Sequence, residues 1–215
     1  METQVIQFVP KLSATGKMPC PSFSTPAQAC KTGSKLAKIK GSVCHGCYAL
    51  KGNYHYPNVK APRAHNLALL DDLAAWVPAM VQAISSSKHG GFFRWHDSGD
   101  LQSVDHLAAI ADIAEALPGV QFWLPTKEAG MVKEFMQGGG YVPENLVIRI
   151  SMPMVDQQPR LPKSIGWQAR ILTSTVHQNG PAHGFECKAY TQGGKCLTCR
   201  ACWSRDVPNV SYPKH

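Results

Sequence analysis

The sequence predicts an α/β protein whose core is a small or incomplete (β/α) barrel of the TIM type. Three observations lead to this prediction. Strand-like and helix-period apolar runs alternate through the middle of the chain, short links join them, and polar residues collect where the strands end. Strands that alternate with helices indicate βαβ units and a parallel sheet. A full eight-fold barrel typically needs ~250 residues, and this chain has 215. We therefore expect an incomplete barrel or an open sheet.

Short apolar runs bounded by proline, glycine or polar residues predict the strands. These runs cover residues 4–9, 91–95, 120–124, 145–150 and 169–173.

Apolar residues at helical spacing predict the helices between these strands. The first helix, Arg63 to Ser86, is one long helix or two abutting helices, with a kink predicted at Pro78. Two further helices are predicted over residues 103–117 and 127–136. Residues 11–60 are rich in Lys, Gly, Ser and Pro and are predicted to form an ordered loop region.

The chain is predicted to form a single domain over residues 1–215, since its length is sufficient for one core. It divides into a cysteine-containing N-terminal segment (1–60), a β/α core (61–180) and a cysteine-rich C-terminal segment (181–215). We expect the two end segments to cover the carboxyl face of the barrel. No apolar run approaches the ~18–20 residues of a membrane span, and the first residues lack a signal-peptide pattern. We therefore expect a cytoplasmic protein that does not associate with membranes.

The eight cysteines are clustered near the two ends of the chain. All of them lie in residues 20–47 or 187–202, and residues 48–186 contain none. In a reducing cytoplasm, cysteines at metal-binding spacings act as ligands more often than as disulfides. In an oxidising compartment, the even number of cysteines would instead permit disulfide bridges.

Two short motifs have the spacing of metal ligands. Cys196, Cys199 and Cys202 are separated by two residues each, and Cys44 and Cys47 form a pair with the same gap. Such gaps let consecutive thiolates point at one centre, as in zinc sites and iron–sulfur clusters. Three equally spaced cysteines favour a [4Fe–4S] cluster. The alternative is a zinc site that combines the front pair with two of the late cysteines.

Other cysteines can complete these motifs. Cys187 is the nearest additional ligand for the late motif, and Cys30 is a better additional ligand for the front pair than Cys20, which is predicted to be a buried free thiol. Eight cysteines allow two sites of four, or one shared site that joins the chain ends. The candidate metal ligands are Cys30, Cys44, Cys47, Cys187, Cys196, Cys199 and Cys202.

The positive charge of the chain is concentrated in the same two end segments. The net charge is +8; residues 1–60 contain eight Lys and Arg and one acid, and residues 161–215 contain seven and two. One interpretation is a nucleic-acid-binding surface, to which Tyr48, Tyr54 and Tyr56 could add base stacking. The other is that these cations offset the negative charge of a thiolate-bound cluster.

Polar residues that follow the strand at 91–95 are candidates for catalysis. His96, Asp97 and Asp100 lie between this strand and the next helix, where parallel α/β folds gather functional groups. An imidazole and two carboxylates could perform acid–base chemistry or bind a second metal. In the alternative interpretation, Asp100 or Ser103 caps the next helix and Asp97 pairs with a nearby cation.

Several motifs together resemble the bacteriophage gene product 88 family, a set of phage proteins without an established activity. The resemblance covers most of the chain and implies a location in the host-cell cytoplasm. The motifs are Met18–Ser24, Cys30–Gly33, Gly41–Cys44 with Cys47–Ala49, Arg94–Asp100 and Cys199–Trp203.

The Cys44-x2-Cys47-Tyr48-Ala49 motif also resembles more distant phage proteins that are similar to radical S-adenosylmethionine enzymes. That resemblance implies a [4Fe–4S] cluster at the carboxyl end of a partial barrel. The chain lacks the C-x3-C-x2-C triplet of those enzymes, and no Gly-Gly-Glu motif follows its second core strand. A fourth thiolate would also occupy the iron that binds S-adenosylmethionine. We therefore expect a radical-enzyme-like shape without that cofactor site.

The function predicted from the sequence is a phage [4Fe–4S] protein with a structural or redox role. Two alternatives remain open: a zinc-stapled nucleic-acid-binding protein that uses its basic ends, and an enzyme that uses His96, Asp97 and Asp100 at the barrel mouth.

Overall fold

The computed structural model describes residues 8–88, 90–161, 165 and 170–214. Its centre is one sheet of eight strands in the order β1-β2-β3-β4-β5-β6-β8-β7. The strands are β1 (Leu12–Ser13), β2 (Ser22–Phe23), β3 (Phe92–Trp95), β4 (Gln121–Thr126), β5 (Leu146–Val155), β6 (Ile171–His177), β7 (Phe185–Glu186) and β8 (Asn209–Pro213).

The strands from β2 to β6 are neighbours in the order in which they occur in the chain. Only β1 and β2 run antiparallel to each other; all the other pairs in the described sheet are parallel. The two edge strands, β1 and β7, do not pair with each other in the part of the chain that the structure describes. The α/β class and the parallel core are thus confirmed, and the sheet is open rather than closed into a barrel.

In the described part of the chain, five α-helices accompany the sheet. Helices α2 and α3 lie in the chain between β2 and β3, α4 lies between β3 and β4, and α5 lies between β4 and β5. The helices are α1 (Lys31–Leu36), α2 (Pro57–Leu69), α3 (Leu73–Ser85), α4 (Val104–Ala116) and α5 (Ala129–Gln137).

Side-chain caps explain where two of these helices begin. The predicted segment from Arg63 to Ser86 is two helices, and Asp72 begins the second by accepting a hydrogen bond from the backbone N–H of Ala75. Ser103 caps α4 in the same way through the N–H of His106. Such caps satisfy N–H groups that have no partner within the first helical turn.

The sequence prediction missed several strands. Residues 11–60 are not loops alone, because they contain α1 and the strand β2, which extends the parallel sheet beside β3. The strand β8 was also missed, and β5 extends to Val155, beyond its predicted end. The strand predicted at 4–9 lies largely outside the described residues.

The two faces of the sheet are covered differently. On one face, Phe93 and Trp95 of β3 pack into the main core with the apolar sides of α3, α4 and α5. On the other face, Trp123 packs with Trp203, whose indole N–H donates a 2.8 Å hydrogen bond to the carbonyl oxygen of Phe93. Alternate residues of a strand point to opposite faces, so Trp203 packs on the face opposite the helices.

Four tryptophans in the described part of the chain, Trp76, Trp95, Trp123 and Trp203, are buried. Among the described helices, none has the length and apolar character needed to cross a membrane.

Candidate metal centres

Cys30, Cys44 and Cys47, which we call the front cysteine group, come together from two loops. Cys30 precedes α1, and the backbone N–H of Cys47 bonds the carbonyl oxygen of Cys44 in a tight turn. A Cβ atom placed on Gly33 would lie 3.6 Å from the Cys30 sulfur and 3.7 Å from the Cys44 sulfur. The two thiols therefore flank one glycine, which leaves the space beside them free of a side chain.

The loop that carries the front group is attached to the carboxyl ends of two strands. After β4, the Glu128 carboxylate accepts hydrogen bonds of 2.7 Å from both the backbone N–H and the hydroxyl of Thr32. At the end of β5, Val43 donates its N–H to Pro153 at 2.8 Å, and Val155 donates to Gly41 at 3.0 Å. These contacts lie between Cys30 and Cys44 in the chain and hold the loop beside the ends of β4 and β5.

The front thiols lie in a partly buried, charged environment. Burial raises the pKa of Cys30 to about 12, and the negative groups of Asp100 and Cys47 act in the same direction. Burial also raises the pKa of Cys44, whereas the nearby Lys127 ammonium opposes this effect. The raised pKa values favour the protonated thiols of Cys30 and Cys44, because desolvation of a thiolate is costly.

Cys187, Cys196, Cys199 and Cys202, which we call the back cysteine group, lie near the chain's C-terminus. Cys196 and Cys199 share a turn in which Cys199 donates its N–H to the Cys196 carbonyl at 2.9 Å, and Cys187 donates its N–H to Ser211 in β8 at 2.9 Å. Burial raises the pKa of Cys202 to about 12, and nearby Cys187 and Cys196 add to this effect. The four residues of the back group therefore act on one another electrostatically.

Cys20 lies beside the back group rather than with the front cysteines. It packs with Trp123, Trp203 and Cys202, and burial raises its pKa to about 12, with Cys196 and Cys202 adding to the effect. No short-range sequence signal places Cys20 there, because the contact joins the start of the chain to its end. One link is the N–H of Cys196, which bonds the carbonyl oxygen of Lys17 at 3.1 Å.

The spacing that thiolate ligands need differs between a zinc ion and an iron–sulfur cluster. Within the described ranges, no group of three or more His, Cys, Asp or Glu side chains is arranged to hold a metal ion. Four thiolates around one zinc lie roughly 3.8 Å apart, given bonds of about 2.3 Å in a tetrahedron. The cysteines of a [4Fe–4S] cluster bind different irons and lie further apart. Soft thiolates suit both iron–sulfur clusters and zinc.

The predicted catalytic residue His96 is buried at the end of β3. It is 4% exposed and has a left-handed backbone with a φ of 54°. The centroids of the His96 and His106 rings are 5.6 Å apart, and the rings meet edge to face. Neither nitrogen of His96 has a hydrogen-bond partner among the described residues. Burial lowers the pKa of His96 well below its usual value, so the imidazole is neutral.

Asp100 connects the ends of β3 and β4. Its carboxylate accepts hydrogen bonds from the N–H of Leu101 at 2.8 Å, the Thr126 hydroxyl at 2.6 Å and the N–H of Lys127 at 2.9 Å. Burial raises the pKa of Asp100 to about 6, while these hydrogen bonds oppose the shift. This geometry gives Asp100 a structural role.

Asp97 has looser partners near the tyrosines. Its carboxylate is 3.4 Å from the hydroxyls of Ser22 and Tyr54 and 3.5 Å from the Arg63 guanidinium. Tyr48 donates its hydroxyl to the Asp97 backbone carbonyl at 2.5 Å. Asp97, His96 and Asp100 thus contact different partners. Of the two helix caps in the alternative interpretation, Ser103 rather than Asp100 caps α4.

The fold and these groups define the class of protein: an open α/β sheet with free cysteines gathered into two groups. The family model described as Gene product 88 matches residues 4–205, and the chain therefore belongs to this bacteriophage family. Among curated proteins none matches the chain, and neither does any solved structure.

Proposed function

We propose that this protein is an iron–sulfur protein whose front and back cysteine groups each bind a [4Fe–4S] cluster. The observation that supports this proposal is the convergence of sequence-distant cysteines on two thiol-only groups, one of them at the carboxyl ends of β4 and β5. In this proposal the sheet is the core of an incomplete (β/α) barrel, and the segment that carries the front group covers its carboxyl face. The chain then acts as one domain in the host cytoplasm.

Nearby cations suit this assignment. Lys127 lowers the pKa of Cys44, and Arg94 and Arg200 lower that of Cys196, although burial outweighs both effects. These positive charges favour the thiolate form that ligation requires, and they offset the negative charge of a thiolate-bound cluster. When bound, such clusters supply one-electron transfer at potentials set by hydrogen bonds and solvent exposure.

Metal analysis of protein purified without oxygen tests this proposal. We expect a brown protein that contains iron and sulfide in equal amounts, with about eight irons per chain when both groups are filled. A colourless protein that contains zinc and no iron would contradict the proposal and support the zinc alternative.

Paired variants assign the two groups. We expect Cys30→Ser with Cys44→Ser to remove about half of the iron, and Cys196→Ser with Cys199→Ser to remove the other half. Cys20→Ala is the matched control, and it should retain the full iron content because Cys20 lies outside both ligand sets. Loss of all iron in either pair would instead indicate one shared site.

The number of cysteines in the front group favours a second candidate function, a reactive cluster. Three thiolates leave one iron of a [4Fe–4S] cluster without a cysteine ligand. The carboxylate of Glu128 is not counted as the fourth ligand, because it already accepts two hydrogen bonds from Thr32. In the radical enzymes that the Cys44–Ala49 motif distantly resembles, such an open iron binds S-adenosylmethionine, although this chain lacks their C-x3-C-x2-C triplet. A change in the electron paramagnetic resonance spectrum of the reduced protein on adding S-adenosylmethionine would support this candidate, and an unchanged spectrum would remove it.

A further inference from the structure

A cavity of about 430 Å³ opens beside the front group, at the carboxyl ends of β4 and β5. Its volume is within the range of small-molecule sites, and the carboxyl ends of parallel strands are where α/β proteins bind ligands. The cavity wall is mainly apolar, with two cations, and the residues that matter here are Leu36, Ile150, Met152, Leu161, Lys127 and Arg160.

Lys127 lacks an ion-pair partner. Its ammonium group donates a 3.2 Å hydrogen bond to the carbonyl oxygen of Met152, and no carboxylate among the described residues forms a salt bridge with it. The nearby carboxylates are already used, since Asp100 bonds Thr126 and two N–H groups, and Glu128 bonds Thr32. Burial lowers the pKa of Lys127, and the nearby Cys44 and Asp100 oppose this effect without forming an ion pair with it.

An anion in the cavity would supply the missing partner. A charge that is removed from water is stabilised only when an opposite charge or enough hydrogen bonds replace its hydration. The exposed Arg160 lies on the same cavity wall and adds a second positive charge. The apolar wall formed by Leu36, Ile150 and Leu161 suits a hydrocarbon body rather than a fully polar ion.

We propose that this cavity binds a small molecule with an apolar body and one carboxylate or phosphate group, and that the anionic group pairs with Lys127. The proposal rests on the cavity and its cation; a cluster held by the front group would place a further negative charge near Lys127. Iron content measured in the same samples therefore keeps the two proposals separate.

Calorimetric titration of the full chain with octanoate, octyl phosphate and the neutral octanamide tests the proposal. We expect the better of the two anions to bind at least about thirtyfold more tightly than octanamide, as for a buried charge pair. Comparison of octanoate with octyl phosphate identifies the preferred head group. Equal binding of the anions and the amide, or no binding at all, overturns the proposal.

Two variants locate the site. Lys127→Met should abolish the preference for the anions, while Lys133→Met, on α5 but outside the cavity wall, should keep it. Leu36→Phe fills the cavity from its apolar side and should weaken the binding of all three probes without removing the cation. If Lys127→Met does not fold, the binding of the three probes to Leu36→Phe is the deciding measurement. The proposal is overturned if folded Lys127→Met keeps the preference for the anions, or if folded Leu36→Phe binds the probes as tightly as the wild type.

Discussion

The Nε–H of Arg149 donates a 2.9 Å hydrogen bond to the carbonyl oxygen of Cys202, inside the back cysteine group. The same guanidinium donates to the carbonyls of Ala201, Ser204 and Thr173. Arg149 is fully buried in β5. One side chain thus fixes the loop that carries Cys202 to the middle of the sheet.

Replacement of this side chain should release that loop. Arg149→Met removes four hydrogen bonds and leaves buried carbonyls unpaired, and we expect it to lower the free energy of unfolding by about 3–5 kcal/mol. Urea unfolding measures the loss, and limited proteolysis should cut the 187–204 region sooner than in the wild type. The matched control is Arg170→Met, whose ion pair with Glu144 is exposed and contributes at most about 1 kcal/mol. Equal losses in the two variants would contradict this role.

Gly99 allows two loops to approach closely. A Cβ atom at this position would overlap the Thr25 hydroxyl and lie 2.8 Å from the Thr25 carbonyl oxygen, and its φ of +82° favours glycine. We expect Gly99→Ala to lower the free energy of unfolding by more than about 3 kcal/mol, since backbone strain and overpacking combine. Gly119→Ala is the control, because nothing lies within 4 Å of its added Cβ. Thermal unfolding compares the two, and a stable Gly99→Ala protein would show that the loops separate easily.

His106 should make the fold sensitive to acid. Burial lowers its pKa to about 3, below its usual value of 6.5, so between these values the unfolded chain binds a proton that the folded chain does not. The free energy of unfolding therefore falls as the pH drops below about 6.5, by up to about 1.4 kcal/mol per pH unit for this group. In His106→Asn we expect a smaller slope in urea unfolding between about pH 5 and 7. The exposed His55→Asn should keep the wild-type slope; an unchanged slope in His106→Asn would count against the prediction.

Asp100 should act in the opposite direction. Its pKa is raised to about 6 from 3.8, so between these values the folded chain retains a proton that the unfolded chain releases. The contribution of Asp100 to stability is therefore greatest below about pH 4 and falls as the pH rises to about 6. Asp100→Asn removes this dependence and turns one oxygen into a donor, so we expect a loss of about 1–3 kcal/mol. The exposed Asp71→Asn is the control, and unfolding curves across this pH window distinguish the two.

The regular elements of the core could be predicted because each has a local signal. The apolar run Phe92–Trp95 and the helical period that follows Ser103 both depend on residues a few positions apart. The strand β2 has only two residues, too few for any period, and becomes a strand only because β3 lies beside it. Partners in the neighbouring strand, rather than local preference, produce such an element.

The sequence alone determined the α/β class, the family resemblance and the two cysteine motifs, because residue type and short spacing are local properties of the chain. Only the tertiary structure decided how the cysteines group, with Cys20 beside the back group and Cys30 beside Cys44. It also decided that carbonyl oxygens surround Arg149 and that Lys127 lines a cavity without an ion-pair partner among the described residues. These contacts join residues that are far apart in the chain, and the order of strands in the sheet brings them together.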